Sequence, residues 1–274
     1  MRKLTSHSRS LRLFLLLSLL LLLALFASNI AMQSIVETKY KELIYTSSEE
    51  TLGHFSLRIG EAMNNVANGM VQYLYDSDIR AYVTNSFPTN DYTVRIRTRD
   101  KLSDISSYSS MVDSAYIYSF GRDEVLTNLG VWSGAKFYDP VWTEVERIKE
   151  QAVWTQVRSF YDPLQRKERR VVSVLRAIGS SNPAAGLLIL NVSENAMQQI
   201  IQLPKETDSF TVLTNGQGGV LAVSGTESVD DRALSEMLAK VPQESEQGIF
   251  DLQLERVDYN VIFSRVQPNN WLLL

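Results

Sequence analysis

MVDSAYIYSF, residues 111–120, is where the period of this sequence changes. Before it, apolar residues recur every three or four positions, as on one face of a helix. Within it, Ser114 to Ser119 alternates and is rich in aromatics, as a half-buried strand should be. Helical periodicity followed by short alternating runs makes the fold class α+β.

Upstream, Leu52, Phe55, Ile59, Met63, Val66, Met70 and Leu74 step by three or four throughout and define one helical face. No proline falls between Gln33 and Ala81. A helix of about 45 residues there exceeds the globular norm and suits a stalk. Two shorter helices joined near Thr46–Thr51 fit the same residues, and both readings stand. Residues 86–90 punctuate the chain, and Val94 to Tyr108 reads as a further helix.

Downstream, Gly121-Arg122-Asp123 turns the first strand towards Glu124–Asn128. Residues 140–150 read as a short helix with proline near its start. Strands are expected at Trp154–Tyr161, Arg170–Ile178 and Gly186–Val192, and the last is apolar enough to be central. Turns fall at Asp162–Gln165 and 180–183. A helix, Glu194–Gln202, closes this unit. A smaller version follows: strand Phe210–Leu213, an Asn-Gly turn at 214–217, strand Gly219–Val223 and helix Asp231–Lys240. Three more strands lie at Gly248–Leu254, Tyr259–Arg265 and from Trp271. The two modules share shape rather than residues.

Further upstream lies LRLFLLLSLLLLLALFASNIAMQ, residues 11–33, in which Leu13 to Met32 carries no charge. About 20 apolar residues span a bilayer as a helix. Arg2, Lys3, Arg9 and Arg12 precede it and Glu37 is the first charge after it, so the N-terminus is expected inside and residues 33–274 outside the cytoplasm. A cleaved signal peptide has similar flanks. The small-residue cleavage sites are poor, and the length favours an uncleaved anchor. The chain stops on NNWLLL, which reads as the middle of a strand, so a continuation is expected.

The balance of 27 Lys+Arg against 31 Asp+Glu leaves no electrostatic footprint for nucleic acid. The absence of cysteine excludes disulfides and thiolate metal sites. The two histidines, His7 and His54, flank the anchor and cannot meet. Asn215-Gly216-Gln217-Gly218-Gly219 lacks the Lys-Ser/Thr of a phosphate loop and reads as a turn. Asn191-Val192-Ser193 is formally a glycosylation sequon at the end of a buried-looking strand. No nucleophile, base and orienter emerge together, so no catalytic residue, metal or cofactor is expected in this region.

With its basic N-terminus, leucine-rich anchor and long helix, the chain resembles the double Cache sensor domain, which consists of two PAS-like antiparallel-sheet modules. The resemblance also rests on NNVANGMVQYLYDSDIRAYV, MVDSAYIYSF, VVSVLRAIGSSNPAAGLLILNVSENAMQQII and SRVQPNNWLLL. It implies the ectodomain of a bacterial sensor histidine kinase or of a membrane-bound regulator with a helix-turn-helix output. A second transmembrane helix would follow Leu274. It also implies a division into a cytoplasmic N-terminus (1–12), transmembrane helix (13–32), stalk and helical segment (33–112), membrane-distal module (113–203) and membrane-proximal module (204–274). The Arg-x-Trp-Tyr run by which one subfamily binds amino acids is missing, so amino-acid binding is not carried over.

Three functions remain to be separated: a sensor of an extracellular solute, a module that reads a solute-binding protein or cell-wall partner, and a membrane-tethered enzyme. The missing catalytic group counts against the third. Ligand pockets are mostly apolar and aromatic with a few placed polar groups. For the first, that points to Tyr116, Tyr118, Trp132, Trp154 and Tyr161 with Arg158 and Arg176. The bland reading makes the aromatics core and pairs the arginines internally, for example with Asp113. If the arginines bind ligand, Arg158→Ala and Arg176→Ala should weaken binding and leave stability within about 1–2 kcal/mol. The segment nearest the membrane, around Val36, Tyr40, Leu43 and Ile44, has little of this chain to pack on, which leads to an expected homodimer.

Overall fold

The computed structural model describes residues 4–86, 91–144, 152–179, 184–203, 209–215, 218–225, 230–254, 257–267 and 269–274. The expected turn at 86–90, the second half of the expected helix at 140–150, the loop at 180–183 and the tip of the turn at 214–217 lie outside them. Two compact units divide the chain, residues 1–51 and 52–274.

The first unit is helix. It belongs to α1 (Leu4–Gly69), which runs 66 residues without a break near Thr46–Thr51. Its N-terminal part is long and apolar enough to cross a membrane. Val36, Tyr40 and Leu43 are all exposed. Thr38, Thr46 and Thr51 each donate their hydroxyl to the carbonyl four residues back, at 2.8–2.9 Å, a local bond that slightly weakens a helix without ending it.

In the second unit, the apolar face read from the sequence is buried at Leu52, Phe55, Ile59, Met63 and Val66 of α1 and at Met70 just past its end, while Leu74 is half-buried. Three shorter helices follow, α2 (Val71–Leu74), α3 (Ser77–Thr84) and α4 (Asp91–Tyr108). Asp76 starts α3 by accepting from the amides of Asp78 and Ile79 at 2.9 and 3.2 Å, and Asn85 ends it in the left-handed region at φ 56°.

The first sheet has seven strands: β1 (Val112–Ser119), β2 (Glu124–Thr127), β3 (Gly130–Ser133), β4 (Val153–Trp154), β5 (Arg158–Asp162), β6 (Lys167–Ile178) and β7 (Gly186–Ser193). Their order is β3-β2-β1-β7-β6-β4, with β5 also on β6, and every pairing is antiparallel. Strand β7 lies inside the sheet, as its apolar run required. Two expectations change. The single strand at Trp154–Tyr161 is two short ones separated by Thr155–Val157. The segment from 140 forms only a 3₁₀ turn, Val141–Glu144, among the described residues.

Helix α5 (Glu194–Ile200) leads on to the second sheet, formed by β8 (Phe210–Thr214), β9 (Val220–Gly225), β10 (Gln247–Leu254), β11 (Val257–Val266) and β12 (Trp271–Leu273), with α6 (Asp231–Lys240). The order is β10-β11-β12-β8-β9. The chain is therefore α+β, a long N-terminal helix followed by two antiparallel sheets.

Burial joins these parts. Val112, Ala115, Ile117, Val174, Leu188 and Leu190 on one face of the first sheet share a core with Ile59, Met63 and Val66 of α1. Trp271, Leu273 and Val266 of the second sheet belong to the same core. Trp154 and Trp271 meet edge to face, 5.8 Å between ring centroids. The far face of the second sheet packs Val212, Val261, Phe263 and Leu272 against Leu234 and Met237 of α6. Helix α1 comes so close to β11 that Ser56 Oγ donates to the Arg265 carbonyl at 3.0 Å. A Cβ on Gly60, one turn later, would stand 2.9 Å from the Gln267 carbonyl oxygen. Alanine's better helix propensity, about 1 kcal/mol, is forgone at position 60 for that approach.

Candidate functional site

The other face of the first sheet carries the site. Alternation along β6 puts Arg169, Ser173 and Leu175 on that face and Val172, Val174 and Arg176 on the helix face. On β7 it selects Leu187, Ile189 and Asn191, and on β5 Arg158, Phe160 and Asp162. Strand β1 has a register shift between Val112 and Ser114. The extra residue is Asp113, and the bulge brings it to the same side as Ser114 and Tyr116. Above this face the chain from β3 makes a 3₁₀ turn, Gly134–Lys136, and descends through Phe137, Tyr138 and Asp139. Phe137 and Val141 are buried on either side of Asp139, which pulls its carboxylate inward with them.

These elements line a partly open cavity of about 180 Å³. Asp113, Ser114, Tyr116, Tyr138, Asp139 and Arg169 line it, together with Asn191, Phe160, Asp162 and the β2–β3 turn. One wall is a buried polar network centred on Asp139, which is 1% exposed. Arg158 pairs with both oxygens of that carboxylate, and its Nη2 also reaches Ser173 Oγ at 2.6 Å and Asn191 Oδ1 at 3.0 Å. Tyr116 donates its hydroxyl to Asp139 Oδ2 at 2.8 Å. Asn191 Nδ2 donates to the same oxygen and to Ser114 Oγ, both at 3.0 Å. A second group sits across the cavity: Arg169 pairs with Asp113 and holds Asp162 Oδ2 at 2.9 Å from its Nε.

Burial pushes the Tyr116 hydroxyl above its ordinary value, against the opposing pull of Arg158. Burial and the charge of Asp162 push Tyr138 up to about 12. Both phenols are therefore neutral donors near pH 7. Burial lowers both Arg158 and Arg169, but a guanidinium starts so high that it stays charged.

Of the seven residues expected from the sequence, Tyr116 lines the cavity and Arg158 stands directly behind it. The others are elsewhere. Arg176 points to the helix face and donates to the Ala67 carbonyl at 3.1 Å, near the end of α1. Three residues from Ser173, it lies on the opposite face of the strand, away from the cavity. Tyr161 is one residue from Phe160, so it too faces away, and it is 58% exposed. Tyr118 stacks on Trp142 at 4.2 Å and donates to Asp123. Trp132 packs on Tyr138 at 6.0 Å, one layer out. Trp154 meets Trp271 in the shared core. Arg158 takes Asp139 as its carboxylate, while Asp113 takes Arg169. Because Arg158→Ala would strand the buried Asp139 carboxylate, its expected cost is larger than the about 1–2 kcal/mol read from the sequence, and urea denaturation measures it. Asn191 accepts and donates inside the network, so the sequon asparagine is buried at 1% exposure.

No family model matches this sequence, and no curated protein does. Solved structures do match its fold. The ligand-binding domain of Mlp24 with asparagine is similar at TM-score 0.57 and 15% identity, over 85% of this chain and 92% of that one. The ligand-binding domain of the Campylobacter jejuni chemoreceptor Tlp3 in complex with L-norvaline is similar at TM-score 0.52 and 13% identity, over 85% and 89%. An extracellular domain assigned to a histidine kinase, rpHK1S-Z16, is similar at TM-score 0.57 and 10% identity, over 84% and 94%. The fold is thus the Cache-like fold of sensory domains of chemoreceptors and histidine kinases. At these identities the likeness speaks for the fold alone.

Proposed function

We propose that this chain is the extracytoplasmic sensor region of a membrane signal-transduction protein. The cavity beside β1, β5 and β6 takes a small solute. The observation that carries this reading is a partly open cavity of mixed lining, with buried charged groups in its wall, in a sheet of the sensory-domain fold. On this reading residues 1–12 are cytoplasmic and 13–32 anchor the chain. Residues 33–112 lead to a membrane-distal module (113–203), and a membrane-proximal module (204–274) follows. A shift or rotation of α1 would carry the signal to a histidine kinase or DNA-binding output. Thermal-shift screening of the full chain in lipid nanodiscs against sugars, amines, organic acids and amino acids tests the binding step. A solute at 100 times its dissociation constant should stabilise by about 2.7 kcal/mol. If no solute of any class shifts the transition, the sensor reading of this cavity is wrong.

The exposed side chains of Val36, Tyr40 and Leu43 lie on one helical face and support a homodimer through the first unit. The chain has no cysteine, so single cysteines can be placed along residues 36–50. Disulfide formation between copies should rise and fall with a period of about 3.5 residues. A flat profile would mean that α1 does not pair with itself there.

A further inference from the structure

The charges around the cavity are unequal. Asp113, Asp139 and Asp162 face Arg158 and Arg169, which leaves one negative charge in excess. The inequality matters because each arginine charge already faces a carboxylate, even though the buried Nε–H of each has no aligned hydrogen-bond acceptor among the described residues. Arg158 is held by Asp139, Ser173 and Asn191, and Arg169 lies between Asp113 and Asp162. An incoming carboxylate would have to break one of these buried pairs to find a cation, and it would add a second uncompensated negative charge. What the cavity offers instead is acceptors and neutral donors. Asp113 has an oxygen, Oδ1, with no hydrogen bond among the described residues. Ser114 accepts from Asn191 and retains its own hydrogen to donate. The Tyr138 hydroxyl lines the same wall. The three carboxylates do not converge as metal ligands, and among the described residues no such group is present.

Size narrows the choice further. A volume of about 180 Å³ is below the range of about 300–1,000 Å³ usual for drug-sized ligands, so a compact solute fits. We propose that the cavity selects small hydroxyl-rich solutes that are uncharged or carry one amine, and that it turns carboxylates away. This rests on the reading of the cavity as the ligand site. Asp113 is the residue that sets the preference, since its Oδ2 meets Arg169, its Oδ1 has no hydrogen bond among the described residues, and it sits on the bulge at the cavity wall.

The test uses a matched series differing at one end group: 1-amino-1-deoxysorbitol, sorbitol and gluconate, with L-asparagine as a zwitterion. Each is titrated into the full chain in nanodiscs by calorimetry, at low and high salt. The amine should bind at least about tenfold more tightly than gluconate, because one net charge acts across a poorly solvated site. That margin should shrink at high salt. In Asp113→Asn, whose fold is checked by its melting temperature, the amine should lose its advantage over sorbitol while sorbitol still binds. Tightest binding of gluconate or L-asparagine would overturn the proposed class and leave the cavity as a ligand site. Binding by no member of the series overturns the class; silence across the broader solute screen would remove the ligand site as well.

Discussion

Asp139→Ala should cost about 3–5 kcal/mol of unfolding free energy, the range found when one partner of a buried ion pair is removed. The carboxylate is 1% exposed and satisfies three groups at once: the Arg158 guanidinium, the Tyr116 hydroxyl and the Asn191 amide. Without it Arg158 keeps its charge in a buried place with only Ser173 and Asn191 to hold it. Much of the loss is therefore the cost of an orphaned cation rather than the value of the pair. This account has a second consequence. Asp139→Leu combined with Arg158→Leu should be markedly less damaging than Asp139→Ala alone, since no charge is left behind. Urea denaturation followed by tryptophan fluorescence measures both. A single mutant within about 1 kcal/mol of the parent would mean that Asp139 is solvated and the cavity wall is not the closed network described.

Trp271→Ala should be comparably severe, about 3–5 kcal/mol, the range for emptying a large aromatic site. Trp271 is 3% exposed on β12, the middle strand of the second sheet, and it enters the core shared by α1 and the first sheet. Its edge-to-face partner Trp154 is only half-buried, so Trp154→Ala should cost less. The two changes should not add. Residues in contact couple by about 0.5–3 kcal/mol, and an aromatic pair contributes about 0.5–1.5 of that. Additive losses would show that the two rings touch without joining the sheets energetically.

Strand β4 ties that contact to the cavity. Trp154 pairs with Val174, and the amide of Thr155 donates to the Ser173 carbonyl at 2.8 Å. Ser173 is the residue whose hydroxyl meets Arg158. Strand β6 thus presents the cavity wall on one face and, through Arg176 and Ala67, touches α1 on the other. A solute that moved Ser173 would act on a strand already attached to both the helix and the second sheet.

Periodicity made the helical face of α1 legible from the sequence, because Phe55, Ile59, Met63 and Val66 keep a spacing that only one face of a helix explains. The apolar run at 186–192 likewise identified a strand inside a sheet. Aromatic content was a poor guide to the cavity, since most of the rings chosen pack in half-buried positions beside other rings, Tyr118 on Trp142, Trp132 on Tyr138 and Trp154 on Trp271, and Tyr161 is exposed. Strand alternation held the better signal. Arg169 and Ser173 are four apart and share a face, whereas Ser173 and Arg176 are three apart and cannot. Phe160 and Tyr161 are neighbours and face opposite ways. Two features were out of reach. The bulge at Asp113 depends on the register between β1 and β7, and a one-residue slip exchanges the faces. The inward turn of Asp139 depends on an irregular segment whose course is fixed by burial of Phe137 and Val141.

Hydrogen–deuterium exchange on the full chain in nanodiscs, with and without a solute that raises its melting temperature, tests the central claim most directly. The cavity is bounded by residues 113–116, the turn at 127–129 and the segment 160–165. Bound solute should slow exchange in these three segments together and leave 247–266 unchanged. Protection centred on 210–273, with none around Asp113, Asp139 and Arg169, would contradict the account and move the ligand to the second sheet.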